Sequence, residues 1–129
     1  GRGNNGNLIF FTVGTGIGSA LFYQGNLYPN TELGFMKIKG RYAEHYAADS
    51  IRKLEKLSWR KWGKRFCRYL KKVEVLLTPD LFILGGGISK KFTLYETHLK
   101  CQTPIIPAEL KNNAGIIGAA VGARHYFEK

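Results

Sequence analysis

Apolar positions fall into short strand-length runs toward both ends of the chain and one long helical periodicity in the middle. Leu8-Ile9-Phe10-Phe11-Thr12-Val13 is a first run and Ala20-Leu21-Phe22-Tyr23 a second, with glycine at 14, 16 and 18 between them. Gln24-Gly25-Asn26 interrupts the pattern and Leu27-Tyr28 resumes it, which predicts a second hairpin. Pro29–Gly34 reads as a loop, Met36–Gly40 alternates like a strand, and alanine-rich Tyr42–Ser50 predicts a short helix. From Ser58 to Leu77 the residues Trp59, Trp62, Phe66, Leu70, Val73 and Leu77 recur every three or four positions, the stripe of one buried helix face. Ser58 predicts its N-cap and Thr78-Pro79 its stop. Leu81–Leu84 predicts a short buried strand, and Thr103–Pro107 an edge strand whose prolines remove ladder donors. Asn112 and Asn113 cap a last helix, Ala114–Tyr126, whose small residues permit close packing.

Two glycine-rich turns carry the candidate chemistry. In Gly14-Thr15-Gly16-Ile17-Gly18 every second side chain is missing, so a ligand can approach the backbone N–H groups, with the Thr15 hydroxyl as a further donor. The same glycines also suit a tight hairpin with no ligand. The stretch is neither a G-x-G-x-x-G fingerprint, since position 19 is serine, nor a Walker A loop. Gly85-Gly86-Gly87-Ile88-Ser89-Lys90-Lys91 follows a predicted strand, a good place for a phosphate or nucleotide to cross the strand's carboxyl end. A flexible corner is its plain alternative, although three consecutive glycines are costly in backbone entropy.

Composition narrows the class. A chain of 129 residues with 44% hydrophobic residues and 16 glycines fits one globular, turn-rich α/β domain rather than a disordered chain. No apolar run is long enough to span a bilayer, and no leader pattern is seen, so no membrane is expected. Cys67 and Cys101 lack metal-ligand spacing and read as free thiols in a reducing cytoplasm. His45, His98 and His125 are scattered and read as surface or structural residues.

The net charge of +11 points to a phosphate-bearing or polyanionic partner. Ten basic residues stand against the single acid Glu55 between Arg52 and Lys72. Arg60, Lys61, Lys64, Arg65 and Arg68, on the polar face of the long helix, form a candidate polyanion track; a solvated face is the alternative. Nucleic acid is the less favoured partner, because Trp59 and Trp62 fall in the apolar stripe rather than beside the cations.

Four strings in order carry a resemblance: G-T-G-I-G-S-A-L at Gly14–Leu21, P-N-T-E-L-G at Pro29–Gly34, P-D-L-F-I-L-G-G-G-I-S-K-K at Pro79–Lys91, and N-N-A-G-I-I-G-A-A at Asn112–Ala120. Over nearly its whole length the chain resembles the C-terminal lobe of the polyphosphate-using glucokinases within the repressor/ORF/kinase (ROK) sugar-kinase family. The resemblance implies an α/β, actin-like (ribonuclease H-like) lobe, a mixed sheet of hairpin and crossover strands flanked by helices. It implies that residues 1–129 are one lobe of a two-lobed enzyme, with the other lobe preceding it. Transfer of a phosphoryl group from polyphosphate or ATP, with Mg2+, to the 6-hydroxyl of glucose is the implied reaction, in a cytoplasmic homodimer. Gly14, Thr15 and Gly16 match the second phosphate-binding loop. Gly85, Gly86 and Gly87, with Lys90 and Lys91, match the donor turn. Glu32 matches the carboxylate that accepts sugar hydroxyls, with Asn30 and Glu44 as further sugar-site residues.

Three departures from the family pattern stand out. Position 35 is phenylalanine where the family usually has a sugar-contacting histidine. No cysteine cluster follows it, so no structural zinc is expected, as in the polyphosphate-using branch. The family's Asp-Gly-Gly-Thr loop and catalytic aspartate are not in this sequence, so no catalytic residue is assigned here and these residues alone are expected to be inactive.

Overall fold

The computed structural model describes residues 6–28 and 31–108. Strands β1 (Asn7–Val13) and β2 (Ile17–Tyr23) form an antiparallel hairpin in which Val13 faces Ile17 and Thr12 faces Gly18. β2 begins three residues before its apolar run because Gly18 and Ser19 join the ladder through backbone groups alone. Gln24 and Gly25, with φ of 51° and 84°, make the tight turn into β3 (Asn26–Tyr28), the second hairpin expected from the sequence.

The middle of the chain departs most from its pattern. Met36–Gly40 does not run on as a strand. It folds back at Lys39 and Gly40, both with positive φ, so that β4 (Lys37–Ile38) pairs with β5 (Arg41–Tyr42) in a separate two-stranded ribbon. The helix expected over Tyr42–Ser50 is broken at Ala48, which is extended (φ −70°, ψ 159°), into α1 (Glu44–Ala47) and α2 (Asp49–Leu54). The Trp62 indole N–H donates to the Ala47 carbonyl at 2.8 Å, satisfying a group that the helix end leaves open.

Helix α3 (Trp59–Leu77) matches its pattern closely. Ser58 Oγ accepts the Lys61 N–H at 3.1 Å, and Thr78 ends the helix in the left-handed region. Removing that cap with Ser58→Ala is expected to lower stability by about 1 kcal/mol, read as a lower denaturant midpoint at unchanged slope. Trp62, Phe66, Tyr69, Leu70 and Val73 are buried against the sheet, where the Phe11 ring meets Phe66, Tyr69 and Phe82 at centroid distances of 6.3, 5.4 and 5.8 Å.

α3 is the crossover that returns the chain to β6 (Leu81–Gly85), parallel to β1 with Leu8 beside Leu81 and Thr12 beside Gly85. A short 3-10 turn (Gly87–Lys91), α4 (Phe92–Tyr95) and a second such turn (Glu96–His98) lead to β7 (Ile105–Pro107), parallel to β6. Among the described residues the main sheet has the order β3-β2-β1-β6-β7, with β7 at its edge as the prolines require. The expected α/β architecture of hairpin and crossover strands is present. The expected helix Ala114–Tyr126, His125 and the sugar-site candidate Asn30 lie outside the described residues.

Candidate phosphate-binding site

The two glycine turns stand side by side. β1 and β6 are parallel neighbours, so the turns that follow them leave the sheet at the same edge, at the carboxyl ends of both strands. Gly86 makes the contact: its φ is +83°, and a Cβ there would lie 3.1 Å from the Val13 carbonyl oxygen. At Gly85 a Cβ would meet the Phe10 ring at 2.6 Å, whereas Gly87 faces open space.

The first turn is braced from beneath. Ser50 donates its N–H to the Gly14 carbonyl at 3.0 Å and its hydroxyl to the Thr15 carbonyl at 2.8 Å. Gly14 N–H donates to the Gly16 carbonyl at 3.0 Å, closing the turn. Among the described residues neither the Thr15 nor the Gly16 N–H donates to a protein acceptor. The Thr15 side chain is exposed beside them. A turn whose carbonyls are taken by Ser50 while two amides and a hydroxyl remain without protein partners among the described residues can take an anion.

The glycines of this turn answer to different neighbours. A Cβ at Gly16 would lie 2.6 Å from Glu44 Oε1, and one at Gly18 would lie 2.6 Å from Thr12 Oγ1, while Gly14 has nothing near it. Glu44 Oε1 accepts the Ile17 N–H at 3.2 Å, so its half-buried carboxylate is locked to the base of the turn.

Glu32 sits on the adjoining loop. It is exposed, and its carbonyl accepts the Phe35 N–H at 3.0 Å to form the short turn Leu33–Phe35. That turn is held on β2 by Ser19, whose Oγ accepts the Leu33 N–H at 3.2 Å and whose carbonyl accepts the Thr31 hydroxyl at 3.0 Å. Gly34 presses on β2, where a Cβ would meet the Ile17 carbonyl at 2.6 Å and Glu44 Oε1 at 3.5 Å. Glu32, Glu44 and the Gly14–Gly16 turn therefore belong to one neighbourhood. Phe35 is 52% exposed with its ring 5.3 Å from that of Tyr42, an apolar surface with no hydrogen-bonding atom.

In the second turn Lys90 and Lys91 are exposed. The Ser89 hydroxyl faces inward, donating to the Gly86 carbonyl at 2.8 Å, so it shapes the turn rather than meeting a ligand.

The basic face of α3 divides in two. Arg65 is tied inward: its guanidinium donates to the Tyr46 carbonyl at 3.0 Å and to Glu55 Oε1 at 2.8 Å. Arg41 takes the other Glu55 oxygen at 2.9 Å. Hydrogen bonds from Arg41 and Arg65 hold the Glu55 carboxyl below the usual carboxylate range. Arg68 donates to the Tyr46 hydroxyl at 2.6 Å, yet it also lines a groove of about 360 Å³ with Lys64, Lys71, His98, Lys100 and Cys67. Arg60 and Lys61 are exposed nearer the start of α3. Lys71 belongs to the helix's basic face, whereas His98 and Lys100 lie outside the charge pattern, since no sequence signal brings 98–100 alongside the helix.

Among the described residues no three His, Cys, Asp or Glu side chains gather to hold a metal ion, and no helix is long and apolar enough to cross a membrane. No family model matches the chain. Curated relatives do. The polyphosphate glucokinase of Mycobacterium tuberculosis H37Rv is 44% identical over 123 residues, 95% of this chain and 46% of that protein. Among solved structures, the inorganic polyphosphate/ATP-glucomannokinase of Arthrobacter sp. strain KM is 44% identical with a TM-score of 0.82, over 97% of this chain and 49% of that one. A ROK-family glucokinase from Streptomyces griseus, solved with glucose and AMPPNP, shares the fold at 17% identity and a TM-score of 0.67, over 90% of this chain and 60% of that one. The chain spans about half the length of the glucomannokinase and of the curated relative. Over the span it covers, the chain is a homologue of the polyphosphate glucokinases, with the fold of the ROK sugar kinases.

Proposed function

We propose that these residues form the C-terminal lobe of a cytoplasmic, homodimeric sugar kinase that transfers a phosphoryl group from polyphosphate or ATP to the 6-hydroxyl of glucose. The observation that carries this reading is the pair of glycine turns at the carboxyl ends of adjacent parallel strands, with the Thr15 and Gly16 amides without a protein acceptor among the described residues. Thr15 and Gly16 donate to the transferring phosphoryl group and stabilise the charge that develops on its oxygens. Gly85–Gly87 let the donor chain pass close to the backbone, with Lys90 and Lys91 beside it. Glu32 and the second oxygen of Glu44 accept sugar hydroxyls, as a carboxylate can from several donors, and Asn30 completes that set. The Asp-Gly-Gly-Thr loop and the aspartate that takes the hydroxyl proton belong to a preceding lobe.

Mg2+ would supply charge neutralisation on the donor phosphates in such a transfer. Among the described residues no three His, Cys, Asp or Glu side chains gather into a magnesium cage, and one Glu44 oxygen is held by the turn. Mg2+ would then arrive with the phosphoryl donor.

Lys64, Arg68, Lys71 and Lys100 line one groove beside α3, and a long polyphosphate can engage such a surface where a nucleotide does not reach. Raising the salt concentration is expected to depress kcat/KM for long-chain polyphosphate more steeply than for ATP. Changing Lys64, Lys71 and Lys100 together to glutamine is expected to lower kcat/KM for polyphosphate about tenfold at low salt, with a smaller change for ATP. Equal losses for both donors would remove the groove from the donor path.

Glucose 6-phosphate formation by the full-length protein, with polyphosphate or ATP in separate assays, tests the reading; this chain by itself is expected to form none. Sedimentation of the same preparation tests the dimer. Phe35 favours a second reading, a relative that binds sugar without phosphorylating it. Glucose binding with no product from either donor supports that one.

A further inference from the structure

The fold brings together the chain's two cysteines, which are far apart in sequence. Cys67 lies on α3, 7% exposed, and forms part of the wall of the basic groove. Cys101 lies on the segment between the Glu96–His98 turn and β7, half-buried and packed against the core. Its neighbour Lys100 donates its N–H to Cys67 Sγ at 3.2 Å, stitching that segment to the helix one residue before Cys101. Burial pushes the Cys101 thiol up to about 12, and the Cys67 sulfur and the Glu74 carboxylate beside it act in the same direction. Cys67 borders a groove whose lip carries Lys64, Arg68, Lys71 and Lys100. A sulfur on a groove wall can meet a small oxidant, and a second thiol close by is what resolves the oxidised form.

We propose that Cys67 and Cys101 form a reversible dithiol–disulfide pair in which Cys67 is the attacking thiol, Cys101 the resolving one, and a peroxide the oxidant. The Cys67 thiolate attacks hydrogen peroxide, the O–O bond breaks, Cys67 becomes a sulfenic acid, and the departing hydroxide takes up a proton. Cys101 Sγ then attacks the Cys67 sulfur, the S–O bond breaks, and the hydroxyl leaves as water with the Cys101 proton. One peroxide is reduced to two waters as two thiols become one disulfide, and a dithiol reductant reverses the change. The bond would join α3 covalently to the entry of β7. None of this depends on what the groove binds.

Full-length protein is treated with a stoichiometric amount of hydrogen peroxide, remaining thiols are alkylated, and the digest is mapped without reductant. The expected result is a joined pair of peptides carrying Cys67 and Cys101 that separates on adding dithiothreitol. An upward shift of several degrees in the unfolding midpoint should appear and vanish with it. In Cys101→Ser the sulfenic acid on Cys67 should persist and be trapped by dimedone. Complete alkylation of both cysteines after peroxide overturns the pair, as does a dimedone adduct on Cys67 of equal yield in the unsubstituted protein. The peptide map of the unsubstituted protein decides the matter even if the variant fails to fold.

Discussion

Gly86→Ala is expected to lower the stability of the intact protein by about 1–3 kcal/mol, because an alanine must hold a left-handed conformation that its Cβ disfavours. Its φ is +83°, and its Cβ would stand 3.1 Å from the Val13 carbonyl oxygen and 3.3 Å from the Val13 nitrogen. Both contacts are backbone, so neither can turn aside. Relief requires β1 and the second turn to move apart, which also displaces the Gly14–Gly16 turn. A displacement of that kind at a site that works by positioning is expected to reduce kcat about 100-fold. Denaturant unfolding reads the first effect and steady-state kinetics the second. Gly87→Ala is the matched control for stability: its Cβ would meet nothing within 4 Å, so a shift within about 0.5 kcal/mol is expected. Equal destabilisation at both positions would mean that conformational freedom, not the Gly86–Val13 contact, sets the requirement.

Glu44 separates two roles through a pair of substitutions. Glu44→Ala leaves the Ile17 N–H without its acceptor at a position where the residue is buried, and is expected to cost about 1–3 kcal/mol. Glu44→Gln keeps an oxygen in that place, so stability should stay close to the parent. If the second carboxylate oxygen accepts a sugar hydroxyl, the loss of charge should raise KM for glucose about tenfold, with kcat much less affected. A parental KM in Glu44→Gln would leave Glu44 as a positioning residue for the turn and remove it from the sugar site. Chemical denaturation and glucose saturation curves at fixed donor supply both readings.

The long helix was legible because its information is local. Its apolar stripe, its serine cap and its stop are written within a few residues of where they act, and α3 follows them residue for residue. Hairpins with glycine turns are local in the same sense. What could not be read depends on contacts across the chain. The Tyr42–Ser50 helix breaks at Ala48, where Trp62, fifteen positions on, takes the Ala47 carbonyl. Arg65 looks like its neighbours in a list of charges, and only the fold reveals that Tyr46 and Glu55 hold it. Three glycines at 14, 16 and 18 look equivalent in sequence, yet one makes room for Glu44, one for Thr12, and one for nothing in the described structure. Ser50 is the clearest omission. A serine in an alanine-rich stretch carried no signal, and it braces the turn from 35 residues away.

The neighbouring of Thr12 and Gly85 in the ladder bears on how a cleft here can open. Both turns are extensions of paired strands, and no side chain separates Gly86 from the Val13 backbone. Sliding one turn past the other would mean shifting a parallel ladder by whole residues, about 3.3 Å at each step, with every intervening hydrogen bond broken. Hinging between them is barred by the same bonds. The two turns therefore travel as one rigid body with a fixed spacing between them. Any opening at this edge of the sheet has to come from what faces it, and distances from a facing group to Thr15 and to Gly86 should change by the same amount.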